Sequence, residues 1–183
     1  VGSFEMPGVP PSLAEATFAD VLSAPNFVDH IIAVKMIRGN PSEVGNCWRE
    51  DRIFQGRRLV AIKHMIHIDH DPHFTCQVSV EYKETPWFLP PTSQTFTFSI
   101  IPIPEATSNQ TSISDQACGF PSTSEPSSCR TAWKIGMVSH GGLFSRIVGS
   151  LTKSCLYRQA VRHVDDEIKM YYHEALRRKK QPL

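Results

Sequence analysis

The stretch VGNCWREDRIFQGRRLVAIKHMIHI, residues 44–68, contains two runs of strand-forming residues on either side of a short turn. The first run covers residues 46–54 and the second covers residues 58–68. Between them, Gln55 and Gly56 have the chemistry of a β-hairpin turn. The stretch therefore predicts two antiparallel strands that pair with each other, and it makes an antiparallel sheet the starting point for the fold.

The length of this turn decides which side chains share a face of the hairpin. With a three-residue turn at residues 55–57, one face carries Trp48, Glu50, Arg52, Phe54, Val60, Ile62, His64 and Ile66. With a two-residue turn, Glu50 and Arg52 lie beside a different set, Leu59, Ala61 and Met65. We favour the three-residue turn because it collects the apolar residues of the second strand on one side.

More strands are predicted before and after the hairpin. Runs that favour extended structure occur at residues 3–6, 34–38, 74–84, 94–103 and 131–139. The alternation is clearest in the run 74–84, where one face carries Phe74, Cys76, Val78, Val80 and Tyr82. After the first strand, Ser12 and Glu15 have the spacing of a capping box, which predicts a short helix there. A second short helix is expected to run through residues 27–32.

After Gly142 the apolar residues recur at helical spacing, from residue 147 to residue 175. A helix over this segment would be roughly 50 Å long at 1.5 Å per residue. The basic residues 177–180 suit the negative end of its dipole. An antiparallel sheet covered by one long helix is an α+β arrangement, and that is the fold class we predict.

This order of elements resembles the SRPBCC superfamily, which includes the START lipid-transfer domains, the birch-pollen allergen and the polyketide cyclases. Three stretches carry the resemblance: ATFADVLSAPNF at 16–27, VGNCWREDRIFQGR at 44–57, and the final amphipathic helix. They are most similar to the polyketide cyclase/dehydrase-like branch. The resemblance implies a helix-grip fold, in which a curved antiparallel sheet wraps a long C-terminal helix and leaves a cavity for an apolar ligand. It implies one such domain over residues 1–183.

Two segments depart from the family pattern. Residues 104–130 are mostly Ser, Thr, Pro and small residues, which favours a flexible insertion. Cys118 and Cys129 within it could close a small ring if the protein were exported. Residues 86–91 form an apolar loop, in which Trp87, Phe88 and Leu89 could cap the core, act as a lid or contact a membrane surface.

The composition excludes some classes of protein. The 183 residues are 40% hydrophobic and 20% charged, which is typical of one globular core. With 19 basic and 18 acidic residues, the chain lacks the basic excess of a nucleic-acid binder. Five cysteines without regular spacing favour reduced thiols in the cytoplasm. We expect a cytoplasmic monomer, although a chain that begins at Val1 leaves a removed targeting segment open.

In the favoured register, Glu50, Arg52 and His64 enter an otherwise apolar interior. Unpaired buried ions are costly, so these groups should pair with each other or with a polar ligand group. In the functional interpretation, Glu50 and Arg52 orient a ligand oxygen while His64 acts as a general acid or base. In the structural interpretation they form a buried salt bridge or face solvent. Aromatic residues would complete the ligand-binding wall, or else form plain core: Phe27, Trp48, Phe54, Tyr82, Phe96, Phe98 and Trp133.

Four histidines at a spacing of three residues, His64, His67, His70 and His73, suggest a metal site at first sight. On a strand, however, His64 and His67 would point to opposite faces. Only His70, Asp71 and His73, near a loop, could converge on an ion. We expect no metal and no cofactor, since the chain also has neither a Walker loop nor a dinucleotide fingerprint.

Three functions remain open from the sequence. The leading one is a carrier or sensor that shelters a hydrophobic small molecule, such as a lipid, a sterol or a polyketide-like compound. The second is an aromatase/cyclase-type enzyme that folds a reactive chain in the same cavity. The third is a protein- or membrane-interaction module that docks through Trp87, Phe88 and Leu89, aided by the basic C-terminal tail.

Overall fold

The computed structural model describes residues 1–40, 43–54, 56–84, 92–104, 125–139 and 143–181; side chains are described except at 84, 92, 137–139 and 143–156. These ranges contain seven strands, one short α-helix, one 3₁₀ helix and one long α-helix. In chain order they are β1 (Gly2–Met6), α1 (Pro11–Ala19), the 3₁₀ helix (Val21–Asn26), β2 (Ile31–Arg38), β3 (Cys47–Phe54), β4 (Arg57–Asp69), β5 (Thr75–Glu84), β6 (Thr92–Ile103), β7 (Ser128–Ser139) and α2 (Leu143–Lys179).

All seven strands form one antiparallel sheet in the order β1-β7-β6-β5-β4-β3-β2. Consecutive strands from β2 to β7 are neighbours, and β1 completes the sheet beside β7. Register shifts between β2 and β3, and between β4 and β5, mark bulges, which bend and twist strands. The predicted α+β architecture, a curved sheet with a long C-terminal helix and two short helices after the first strand, is confirmed.

The main core lies between α2 and the β1–β7–β6 side of the sheet. Met6, Ile100 and Trp133 from the strands pack in one cluster with Ile168 and Ala175 from α2. The indole of Trp133 lies over Gly2, where an added Cβ would be 2.3 Å from the ring. The close packing of β1 against β7 at this point therefore requires a residue without a side chain.

The β3–β4 hairpin has the two-residue turn, so the register that we favoured is wrong. Phe54 pairs with Arg57, Arg52 with Leu59 and Glu50 with Ala61. Gly56 takes a φ of +73°, which only glycine adopts without strain, and this closes the short turn.

The number of apolar residues on one face of the second strand had favoured the longer turn. In the structure Lys63 lies on the inner face opposite Trp48, and its ammonium group pairs there with Glu50. The outer face keeps hydrophobic residues instead, and Ile66 is 45% exposed. The two-residue register therefore places Lys63, and not the isoleucines at 62 and 66, on the face that carries Glu50.

Other boundaries also differ from the sequence prediction. The N-cap of α1 is Pro10, not Ser12, whose backbone N–H and hydroxyl both donate to Glu125. Ile31 begins β2 instead of continuing a helix, and β7 begins at Ser128, inside the segment assigned to the insertion. Residues 105–124 of that insertion and the apolar loop 85–91 lie outside the described residues. Among the described helices, none combines the length and apolar character needed to cross a membrane.

Candidate ligand-binding cavity

The concave face of the sheet and α2 border a cavity of about 240 Å³. Strands β3 to β6 supply one wall, α2 supplies the other, and Phe18 and Val21 also line the space. The ring of Phe18 stacks on Tyr171 at 4.4 Å and tilts against Phe98 at 4.2 Å between centroids. Aromatic contacts therefore join α1, β6 and α2 around a largely apolar space.

Four charged side chains interrupt this apolar wall. Glu50 accepts from Lys63 Nζ at 2.8 Å and from the indole N–H of Trp48 at 2.9 Å. Arg52 lies 3.6 Å from the second oxygen of Glu50 and donates to Glu167 on α2. Glu50 is 2% exposed and Arg52 is 8% exposed. The charges thus form one chain across the cavity, from β4 through β3 to the helix.

The pKa values within this cluster follow from burial and from the neighbouring charges. Burial alone would raise the pKa of Glu50, but Lys63 and Arg52 hold that pKa below its usual range. Burial likewise opposes ionisation of Glu167, and Arg52 brings its pKa well below the ordinary value. Burial raises the pKa of Tyr82 to about 12. At neutral pH the two carboxylates are therefore charged, while the phenol remains a neutral donor.

Two atoms of the cluster are buried without a hydrogen-bond partner among the described residues: Oε2 of Glu50 and Nε of Arg52. Buried polar atoms are usually satisfied, and each one that is not needs an explanation. Both side chains line the cavity. One acceptor and one donor are therefore left without a hydrogen-bond partner in side chains that border the cavity.

A second cluster joins the loop before β2 to α2. His30 Nε2 lies 3.3 Å from Glu167 Oε2 and 2.8 Å from Arg52 Nη2, and its ring lies 3.9 Å from that of His163. Burial, together with the charge of Arg52, lowers the pKa of His163 to about 4. His163 is therefore neutral at pH 7.

Among the described residues, His30, His163 and Glu167 are the group whose potential ligand atoms lie within 4.8 Å of one another. Two imidazoles and a carboxylate are a set that zinc accepts. The guanidinium of Arg52, however, already contacts both His30 and Glu167. A divalent ion would meet that fixed positive charge, so we assign no metal here.

The same fold occurs in known structures. A conserved protein from Geobacillus kaustophilus is similar at 13% identity and a TM-score of 0.65, covering 96% of this chain and 93% of that one. Major latex-like protein 151 from Panax ginseng is similar at 12% identity and a TM-score of 0.59, covering 96% and 95%. A point mutant of norcoclaurine synthase from Thalictrum, bound to a transition-state analogue, is similar at 11% identity and a TM-score of 0.56, covering 97% and 93%. The chain has the helix-grip fold of these proteins.

The likeness to other helix-grip proteins is one of structure. No family profile matches the chain, and no curated protein sequence matches it. At identities of 11% to 13%, individual side chains of the cavity have no assigned counterparts in these structures. The chemistry of this helix-grip cavity has to be derived from its own residues.

The cavity collects most of the residues that the sequence singled out. Those that line it are Trp48, Glu50, Arg52, Phe54, Tyr82, Phe96 and Phe98. His64 does not, because in the two-residue register it pairs with Cys47 on the other face, and the Cys47 thiol lies 3.9 Å from its ring. The role of His64 as a general acid or base next to Glu50 and Arg52 is therefore wrong.

Two other candidates also lie away from the helix-grip cavity. Phe27 packs edge-on against Tyr171 at 5.0 Å, in a separate cluster with Ala24 and Val28. Trp133 is 3% exposed and belongs to the main core. His70, which the sequence analysis considered with Asp71 and His73 as a possible metal ligand, is exposed and lies 3.5 Å from Glu15.

The sequence prediction missed the contribution of α2 to the site. His163 and Glu167 are four residues apart and so lie on one face of the helix, next to the apolar positions Val164 and Ile168. Two ionisable residues at the border of an apolar stripe were the available signal. The pairing with Arg52, 115 positions earlier in the chain, has no signature in the sequence.

Proposed function

We propose that this protein binds a small, mostly apolar molecule with a polar group inside the cavity, as a carrier or sensor. The observation that carries the proposal is the pair of unsatisfied buried atoms, Glu50 Oε2 and Arg52 Nε, on a largely apolar wall. Pockets with a few polar groups in an apolar lining are the usual design of small-molecule sites. A ligand hydroxyl, which both donates and accepts, would suit this pair of atoms.

The size of the cavity narrows the ligand class. Its volume of about 240 Å³ is slightly below the roughly 300–1,000 Å³ typical of sites for drug-sized molecules. A compact ligand with about ten carbons is therefore favoured over a two-chain lipid. Burying ten methylenes contributes about 8 kcal/mol before the cost of association, which is enough for useful affinity without catalysis.

The comparisons support a role for the cavity in small-molecule binding. The norcoclaurine synthase structure contains a transition-state analogue, so one protein of similar fold accommodates a small organic molecule. Its activity is not transferred here, because the likeness at 11% identity concerns the fold.

Native mass spectrometry of freshly purified protein, followed by solvent extraction, tests the proposal directly. We expect a bound species that dissociates on denaturation. Titration with N-phenyl-1-naphthylamine, a neutral fluorescent probe, should then give saturable binding at one site per chain. A clean apo mass together with no saturable probe binding would refute the proposal.

A cyclase-type enzyme is the second candidate, and the same uncommitted Glu50 oxygen is the observation in its favour. A carboxylate in an apolar site can remove a proton from a carbon acid when its pKa is raised. Here Lys63 and Arg52 keep the pKa of Glu50 low, which makes it a weak base. Binding therefore ranks ahead of catalysis. Turnover of a poly-β-ketone that is lost in Glu50→Gln would reverse this order.

A protein- or membrane-interaction role through Trp87, Phe88 and Leu89 remains a prediction, since those residues lie outside the described ones. A pull-down or vesicle-binding assay with Trp87→Ser and Phe88→Ser tests it. Unchanged binding in the double variant would exclude the loop as a docking element.

A further inference from the structure

The charges on the cavity wall balance each other. Among the described residues that line it, the cations are Arg52 and Lys63 and the anions are Glu50 and Glu167, which is two against two. We propose that this balance makes the cavity select neutral, hydroxyl-bearing ligands over ionised ones of the same length. This inference rests on the proposed binding function and adds the chemical class of the ligand.

Every charge in the cluster already has a partner. Lys63 Nζ lies 2.8 Å from Glu50, and Arg52 connects Glu50 at 3.6 Å with Glu167 on the opposite wall. An ionised ligand would therefore add one uncompensated charge to a buried site, or separate an existing pair. Both outcomes are disfavoured in an apolar surrounding.

The remaining polar groups do not change this balance. The low pKa of His163 keeps its ring neutral at pH 7, and burial keeps Tyr82 protonated because its pKa is raised. The Tyr82 hydroxyl donates to Gln94 at 2.8 Å, so it is already engaged. The lining offers no spare charge to a carboxylate or an ammonium group.

The two unsatisfied atoms indicate which neutral group fits. Glu50 Oε2 needs a donor, and Arg52 Nε needs an acceptor. A hydroxyl group provides both functions, whereas an ether or a ketone only accepts. An aliphatic or alicyclic alcohol therefore matches the cavity better than a hydrocarbon, an ether or an acid.

The test uses three probes of equal length, 1-decanol, decanoate and decylammonium, in competition with N-phenyl-1-naphthylamine at pH 8. We expect decanol to bind at least about tenfold more tightly than either ion, because only the ions bring a buried uncompensated charge. Equal affinity of decanol and decanoate would overturn the charge-selection inference alone. If none of the three displaces the probe, and native mass spectrometry shows no ligand, the proposed binding function fails with it.

Two variants should shift the selection in opposite directions if the inference is right. Glu50→Gln leaves one anion against two cations, so decanoate should gain at least about tenfold relative to decanol. Lys63→Met leaves one cation against two anions, so decylammonium should gain instead. The matched controls are Glu81→Gln and Lys83→Met, which alter an exposed pair 2.7 Å apart on β5.

Each outcome has a defined meaning. A gain for decanoate in Glu50→Gln and a gain for decylammonium in Lys63→Met, with unchanged selectivity in both controls, support charge selection. Unchanged selectivity in a folded cavity variant overturns it. If Glu50→Gln fails to fold, as judged by circular dichroism, the decylammonium arm with Lys63→Met decides the question.

Discussion

Arg52 makes three contacts from a nearly buried position: with Glu50, with Glu167 and with His30. Buried ion pairs are weak evidence for stability, because desolvation of both charges offsets most of their attraction. Apolar residues of the same volume would fill this wall at less cost. The four charges beside the cavity are therefore better explained by the proposed polar ligand group than by a gain in folding stability.

The lowered pKa of His163 predicts how the stability of the fold depends on pH. Its pKa is about 4 in the folded chain and about 6.5 in an unfolded one, so the unfolded state takes up a proton first as the pH falls. The free energy of unfolding should therefore be highest above pH 6.5 and fall by up to about 3 kcal/mol toward pH 4. Urea unfolding at pH 7.5 and pH 4.5 measures this loss.

His163→Phe should remove most of the pH dependence in this window, because Phe does not titrate. The carboxylates Glu50 and Glu167 have lowered pKa values, so their contribution to stability is lost mainly below the ordinary carboxyl pKa of 4.5, where the unfolded state takes up protons. The control is His173→Phe, which changes an exposed histidine on the same helix. A full pH-dependent loss in His163→Phe would show that another group is responsible.

At the scale of elements, sequence patterns predicted strands and helices well and their mutual register poorly. Alternation in β5 correctly placed Cys76, Val80 and Tyr82 on the inner face. The predicted register of the β3–β4 hairpin was wrong because a count of apolar residues does not include the pairing of Lys63 with Glu50 in the interior. Contacts between distant elements, such as His30 with Glu167, depend on how the helix crosses the sheet, and no local pattern encodes that angle.

Gly56 tests the importance of the short turn. Its φ of +73° is unfavourable for residues with a Cβ, although nothing lies within 4 Å of the added atom. Gly56→Ala should therefore lower the free energy of unfolding by about 1–2 kcal/mol through backbone strain alone. Chemical denaturation checks the value.

Gly136→Ala is the matched control for this variant. Gly136 lies in β7 without a positive φ, and its added Cβ would be 3.7 Å from the Thr95 carbonyl, an ordinary contact. That variant should be neutral or gain up to about 1 kcal/mol. An equal loss of unfolding free energy at both positions would mean that the positive φ of Gly56 is not the cause of its effect.

For the molecule as a whole, a cavity in the centre of the fold lowers stability, because its lining atoms lack packing partners. A ligand restores those contacts, and at 100 times its dissociation constant it would stabilise the folded state by about 2.7 kcal/mol. The melting temperature should therefore rise with the concentration of a bound alcohol. The apolar wall would therefore favour ligand binding while it lowers the stability of the protein without ligand.

Val78→Phe separates the stability cost of the cavity from its proposed role in binding, because Val78 lines the cavity from β5. The larger ring should fill part of the space and stabilise the apo protein by about 1 kcal/mol, at ~24 cal/mol for each Å³ filled. The same change should weaken the binding of 1-decanol at least about tenfold, since the volume it removes is the volume the ligand needs. Gln77→Phe, on the other face of the same strand, should alter neither property. A Val78→Phe protein that melts higher yet binds decanol as tightly as before would show that the ligand occupies some other site.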